Sequence, residues 1–199
     1  YPKVAMRHFA SHFLANFILG NAPRLELSVD GQEESFPDFV LDLLSEDRGE
    51  DVIDTEEYGQ LTLSNFIMDK AASAEFDGDH QMHLVASGRT VLSRKVDGLL
   101  GLGRMGDNNN YVYHGCLSGE FLDQKVNQER THFNFSEQVG TDLCRVAADT
   151  ARGRAICEEV QQFDSERKEA METFLEEYPS FHFESAESLL KRAPKNATK

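Results

Sequence analysis

The chain contains no tryptophan, three cysteines and five prolines in 199 residues. No apolar run approaches the roughly 18 residues that a membrane-spanning helix needs. The cysteines, Cys116, Cys144 and Cys157, are odd in number and irregularly spaced, which gives neither a disulfide framework nor a zinc-ligand pattern. Reduced thiols and a cytoplasmic setting are therefore expected. Basic residues are also scarce, 20 Lys and Arg against 35 Asp and Glu, for a formal net charge of −15. Such a surface repels phosphate backbones and anionic lipid, so nucleic acid and membrane are both disfavoured as partners of the whole domain. No secretory pattern opens the chain, and the sequons at Asn134 and Asn196 carry no weight without one. Tyr1-Pro2-Lys3-Val4 and Lys195-Asn196-Ala197-Thr198-Lys199 both read as cuts within a longer chain.

What is present is ordinary globular material, 40% hydrophobic and 28% charged, in strands first and helices later. Val4, Phe9, Phe13, Leu14, Phe17 and Ile18 recur at helical spacing, with Gly20-Asn21 and Pro23 as stop signals. Leu25, Leu27 and Val29 alternate as a strand that turns at Asp30-Gly31. Phe39 to Leu44 reads as a short helix. The acidic run Glu46, Asp47, Glu50, Asp51, Asp54, Glu56, Glu57 reads as a solvated loop, since its spacing matches no calcium loop. Leu61, Leu63, Asn65 and Ile67 share one side of a strand, with Phe66 and Met68 on the other. His80–Ala86 and Thr90–Val96 form a hairpin about Ser87-Gly88-Arg89. Gly98–Asn110 reads as a loop, Tyr111–Leu117 as a strand, Glu120–Val126 as a short helix and Thr131–Phe135 as a last strand. From Ser136, a helix cap, the apolar period becomes helical and runs to Pro179, with an interruption at Gly153. A final short helix spans about Glu184 to Lys191. The expected architecture is α/β (α+β), with an α/β domain over 1–135 and a helical extension over 136–199.

Several motifs fail on context. Gly101-Leu102-Gly103-Arg104-Met105-Gly106 fits GxGxxG, but Asp107-Asn108-Asn109-Asn110 follows it where a dinucleotide fingerprint needs a helix. His8 and His12 sit four apart on a helix without the metalloprotease Glu or a third ligand. His80 and His83 fall on opposite faces of a strand and cannot share a metal. Gly115-Cys116-Leu117-Ser118-Gly119 places its serine one residue late for a nucleophile elbow.

Gly119–Phe135 is the informative stretch. Phe121, Leu122 and Val126 can bury one side of a turn, which leaves Asp123, Lys125, Asn127, Glu129 and Arg130 pointing outward. Phe133 and Phe135 then anchor the chain again. Two readings stay open on these grounds: a surface loop with ion pairs such as Lys125 to Glu129, or a firm mount for a functional cation.

The segment Leu122-Asp123-Gln124-Lys125-Val126-Asn127-Gln128-Glu129-Arg130-Thr131-His132-Phe133-Asn134-Phe135 resembles one that follows the ATP-binding domain in bacterial Hsp90-like, histidine-kinase-like proteins of the GHKL class. Pro23–Asp30, the hairpin His83–Val91, Tyr111-Val112-Tyr113 and Tyr178-Pro179-Ser180-Phe181 fit the same pattern, so the likeness spans most of the chain. The resemblance implies a transducer, or middle, domain with a ribosomal-protein-S5-domain-2-like core. It implies docking against ATP and Mg²⁺ held by an N-terminal GHKL domain of the same chain, with a cation donated to the terminal phosphate. Lys125 and Arg130 match that loop as catalytic candidates, and Lys125, Asn127 and Arg130 as cofactor contacts; no metal ligand is implied. Arg130 is preferred, because a planar guanidinium suits a phosphate better than an ammonium and stays charged.

The nucleotide-binding motifs of the class (an Asn and an acidic base on one helix, Asp-x-Gly-x-Gly, a Gly-rich lid) are missing from this sequence. The fragment alone is therefore expected neither to bind ATP nor to be an enzyme, and to belong to an ATP hydrolase only at full length. Protein clients and a full-length homodimer are the partners implied. Two alternatives compete. One is a DNA-processing relative of the MutL or gyrase kind, for which Arg89, Arg94, Lys95 and Arg104 are the clustered basic candidates. The other is an interaction module with no ATP connection, using the helices from Ser136 to Tyr178.

Overall fold

The protein is described here from a computed structural model, which describes residues 16, 25–29, 32–36, 38–70, 78–103, 105–106, 108–178 and 185–195. The expected N-terminal helix, apart from Asn16, lies outside the described residues, as do His8, His12, Arg104 and Pro179. The elements are β1 (Leu25–Val29), β2 (Gln32–Phe36), α1 (Asp38–Leu41), β3 (Leu44–Thr55), β4 (Gly59–Asp69), β5 (Gln81–Ala86), β6 (Arg89–Lys95), α2 (Asp97–Leu100), β7 (Tyr111–Gly119), α3 (Glu120–Lys125), α4 (Glu137–Gly153), α5 (Cys157–Glu177) and α6 (Ala186–Arg192). Strands β1 and β2 pair as a separate hairpin, and the other five form one sheet in the order β3-β4-β7-β5-β6. All its pairs are antiparallel except β5 with β7. This is an α+β fold, a mixed five-stranded sheet followed by helices.

Strand register explains the layers. Leu63 lies opposite Leu117, Ile67 opposite Tyr113 and Leu84 opposite Leu117, so alternate residues of β4, β5 and β7 build one apolar face. Helix α4 lays Leu143, Ala147, Ala148 and Ala151 on it, and Ile156, Val160 and Phe163 extend the same core. Three alanines on α4 let its backbone approach the sheet closely. The helices after Ser136 thus complete the core of the sheet. The Ser136 side chain accepts from Val139 N and caps α4, and Gly153 is its last residue, as the spacing predicts. The other sheet face is buried as well, carrying Ser64, Phe66, Met68, Val112, His114, Cys116 and His83.

Three expectations are corrected. The acidic run is no loop: Leu44–Thr55 is a twelve-residue edge strand paired with β4, and only Glu56 and Glu57 occupy the turn. The stretch has few apolar residues because one of its edges pairs with nothing in the sheet, and charged side chains there discourage edge-to-edge association. The ladder is irregular between Leu44 and Glu50, and Gly49 takes a positive φ of 78° there, a conformation glycine adopts without a Cβ clash. The second correction is Thr131–Phe135, which is a loop and not a strand. It forms one isolated bridge, Val126 with Phe133, because the chain folds back on the end of α3 and meets no strand of the sheet. The segment Gly98–Asn110, expected as loop throughout, contains the end of α2, with Gly101 (φ 67°) as its left-handed C-cap.

Candidate functional site

The loop from Val126 to Asn134 hangs from the C-terminal end of α3, a helix of only six residues. A helix this short has no stability of its own and is held by its contacts. Leu122 is fully buried. Phe121 meets Tyr58 edge-on with centroids 5.0 Å apart and stacks on Phe135 at 6.1 Å, and Phe135 stacks on Phe133 at 4.7 Å. This aromatic row grips both the entry and the exit of the loop, as Phe121 before it and Phe133 and Phe135 after it in the sequence suggest.

The neck of the loop is closed by Asn134 N donating to Lys125 O at 2.7 Å and by Asn127 N donating to His132 O at 3.1 Å. Inside it, the Asn127 side chain makes four hydrogen bonds. Its Nδ2 donates to Glu129 Oε2 at 2.8 Å and to Thr131 Oγ1 at 3.1 Å. Its Oδ1 accepts from Thr131 N at 2.8 Å and from His132 N at 3.2 Å. An amide has two donor hydrogens and two acceptor lone pairs, so this set is complete. Asn127 therefore shapes the loop.

Arg130 sits at the turn, with its N–H donating to Asn127 O at 3.0 Å and with φ at +57°. Left-handed backbone costs a non-glycine residue roughly 1 kcal/mol or more. Its side chain is exposed. Lys125 is also exposed, with Nζ 6.0 Å from the Phe121 ring centroid. The two cations thus lie on one rigid loop and its root.

Beside α3 an open cleft of about 510 Å³ is lined by Tyr58, Gln60, Thr62, Glu120, Phe121 and Gln124. Burial, then Glu57, raises the Tyr58 pKa, which keeps its hydroxyl protonated. Glu120 in the lining makes this cleft a poor seat for phosphate.

Of the basic cluster proposed for duplex contact, Arg94 and Lys95 are engaged with acidic or polar partners, Arg89 is exposed, and Arg104 lies outside the described residues. Arg94 donates to Thr141 Oγ1 at 2.9 Å and lies 3.6 Å from Glu137, and Lys95 pairs with Asp79 at 2.6 Å. Cys116 is a buried strand residue whose thiol is pushed up to about 12 by burial, so it is no nucleophile at neutral pH.

Sequence reasoning missed three groupings. His83 Nε2 lies 2.8 Å from His114 Nδ1, and His83 Nδ1 lies 2.8 Å from Ser93 Oγ. His80 stands just before β5 and accepts from Tyr113 N through Nδ1 at 2.9 Å. Tyr113 Oη donates to Asn65 Oδ1 at 2.7 Å, and Asn65 Nδ2 donates to Asp51 Oδ2 at 3.1 Å and to Gly49 O at 3.2 Å. Finally, the elbow between α4 and α5 is clasped to β3. Arg154 reaches Asp51 at 3.0 Å, while Arg48 donates to Ala155 O at 3.2 Å and to Glu159 at 2.5 Å. Only the alternation of Asn65 with apolar neighbours hinted at any of these, since each partner is distant in sequence. Among the described residues no group of three or more His, Cys, Asp or Glu could hold a metal ion, and no helix is long and apolar enough to cross a membrane.

No family model, no curated protein and no solved structure matches the chain.

Proposed function

We propose that this chain is the middle, transducer domain of an Hsp90-like ATPase of the GHKL class, with an S5-like core. It would couple ATP and Mg²⁺ held by an N-terminal domain of the same polypeptide to conformational change and to protein partners in the cytoplasm. The observation that carries the reading is the mount of Arg130: an exposed guanidinium on a left-handed turn, in a loop internally closed by Asn127 and gripped by stacked phenylalanines. Surface arginines that serve only solubility need no such scaffold, whereas a group that must meet a phosphate oxygen in one geometry does.

The residues present fit one role toward ATP, that of a donated cation. Arg130 presents its fork to the terminal phosphate and stabilises charge there as the bond to the leaving group loosens, with Lys125 as a nearby point charge. Asn127 supports this indirectly by fixing the loop. The engaged state of Arg94 and Lys95 favours protein partners over duplex DNA for the same architecture.

Two measurements test the reading. Titrating this chain with labelled ATP–Mg²⁺ should give no micromolar binding. In the full polypeptide that carries the ATP-binding domain, Arg130→Ala should lower kcat for ATP hydrolysis by ~10³–10⁵. Unchanged hydrolysis would remove Arg130 from catalysis and with it the basis of the proposal.

A further inference from the structure

The Arg130 loop is rigid within itself, so its aim depends on the orientation of α3. Three consecutive residues of α3 hold it from three directions, because successive helical side chains are turned by about 100°. Phe121 meets Tyr58 edge-on and stacks on Phe135. Leu122 enters the core and is fully buried. Asp123 Oδ1 accepts from Ser87 N, across 36 positions of sequence, at 2.6 Å. The first two contacts are apolar. They keep α3 on the sheet but tolerate sliding and rotation, since dispersion contacts are weakly directional. The third is a charge-assisted hydrogen bond with a preferred line of approach.

The donor is itself preset. Ser87 and Gly88 are the two loop residues between the paired Ala86 and Arg89, and both have positive φ, 48° and 75°. Two positive φ values define the turn that suits a two-residue hairpin. Serine is not the residue that usually tolerates the first of them. The ladder closes at Ala86 and Arg89, so the Ser87 N–H lies outside it and serves Asp123 instead.

The geometry points to Asp123 as a positioning residue that, through its bond to the Ser87 N–H, makes the β5–β6 turn the rotational stop for α3 and so aims Arg130. This rests on the assignment of Arg130 to the ATP terminal phosphate. A further consequence is that the β5–β6 turn is a point from which the Arg130 loop can be displaced, since a partner that moves the turn moves the stop.

The test uses steady-state ATP hydrolysis by the full polypeptide, comparing Asp123→Ala, Asp123→Asn and Arg130→Ala. Asp123→Ala should lower kcat by about 10- to 100-fold with KM for ATP within twofold, because a misaimed cation weakens the transition state and leaves ground-state binding alone. Asp123→Asn retains Oδ1 as an acceptor and should restore most of the loss. Amide exchange at Ser87 should quicken in the Ala variant and stay slow in the Asn variant. A normal kcat in Asp123→Ala beside a depressed one in Arg130→Ala overturns the positioning role and leaves the Arg130 assignment standing. A normal kcat in Arg130→Ala overturns both. A fall in kcat matched by an equal loss of folded protein assigns Asp123 to stability and overturns the positioning role.

Discussion

His83 and His114 meet ring to ring on adjacent parallel strands, with Nε2 and Nδ1 2.8 Å apart and neither ring exposed. Burial lowers the pKa of His83 to about 4 and that of His80 to about 4, and holds His114 well below its usual value, with His83 and His80 as further causes. The unfolded chain takes up these protons near pH 6.5. Between pH 6.5 and 4 the unfolded state therefore binds more protons than the folded one. The stability these rings contribute is whole above pH 6.5 and is lost as pH falls toward 4, by up to about 3 kcal/mol each for His80 and His83. Urea midpoints measured from pH 7.5 to 4.5 should decline steadily below 6.5. A midpoint flat from pH 7 to 5 would contradict this account.

Gly115→Ala should be among the most damaging single substitutions. A Cβ there would meet Tyr113 Oη at 2.6 Å and Met82 Sδ at 2.8 Å. Tyr113 is fully buried and bonded to Asn65, so it cannot yield without breaking that bond. A loss of about 2–3 kcal/mol is expected, readable in a chemical melt. Gly59→Ala makes a useful contrast, since nothing lies within 4 Å of its Cβ position and only its positive φ of 68° opposes the change.

Arg130→Gly should raise stability slightly while removing the proposed function. The left-handed φ of 57° suits glycine, so relief of backbone strain should exceed the entropy glycine adds to the unfolded chain, for a net gain below about 1 kcal/mol. Thermal melting of Arg130→Gly beside Arg130→Ala checks it, with the glycine variant the higher of the two.

Asn127→Ala should loosen the same loop. It leaves Thr131 N and His132 N without their side-chain acceptor, at a cost of about 1 kcal/mol given that the loop is exposed to water. Faster amide exchange at Thr131 and His132, with the rest of the chain unchanged, is the expected signature.

Arg48→Ala should release the elbow between α4 and α5. Its side chain is 26% exposed, and its guanidinium contacts Ala155 O, Glu159 and Glu46. Losing it should cost about 1–3 kcal/mol and leave Glu159 without its partner. Arg154→Ala, whose side chain is 62% exposed, should cost less than about 1 kcal/mol. Equal effects of the two would contradict this ranking.

The sequence was most legible where one element decides its own periodicity. The β5–β6 hairpin, β4 with its two faces, β7 and the Ser136-capped helix all follow from alternation, turn residues and capping. It was least legible where the partner decides. The acidic strand β3 carries little β-forming character of its own and takes its conformation from β4. Phe133 and Phe135, patterned like strand residues, serve a stack with Phe121 instead of a ladder. For the candidate site, the outward residues of the loop could be read from the buried ones beside them. The full use of the Asn127 amide, the left-handed backbone of Arg130 and the bond from Ser87 to Asp123 could not, because they depend on backbone dihedrals and on contacts 36 residues apart.

The sheet order β3-β4-β7-β5-β6 also dictates a schedule for synthesis. Of the five strands of this sheet, the last to leave the ribosome takes the middle place. Until Gly119 has emerged, β3–β4 and β5–β6 exist as two separate hairpins, each with its most apolar strand offering an unpaired inner edge. That is the interval in which the nascent chain is most open to wrong pairing with its neighbours. Synthesis halted anywhere before β7 yields two halves of this sheet with no seam between them.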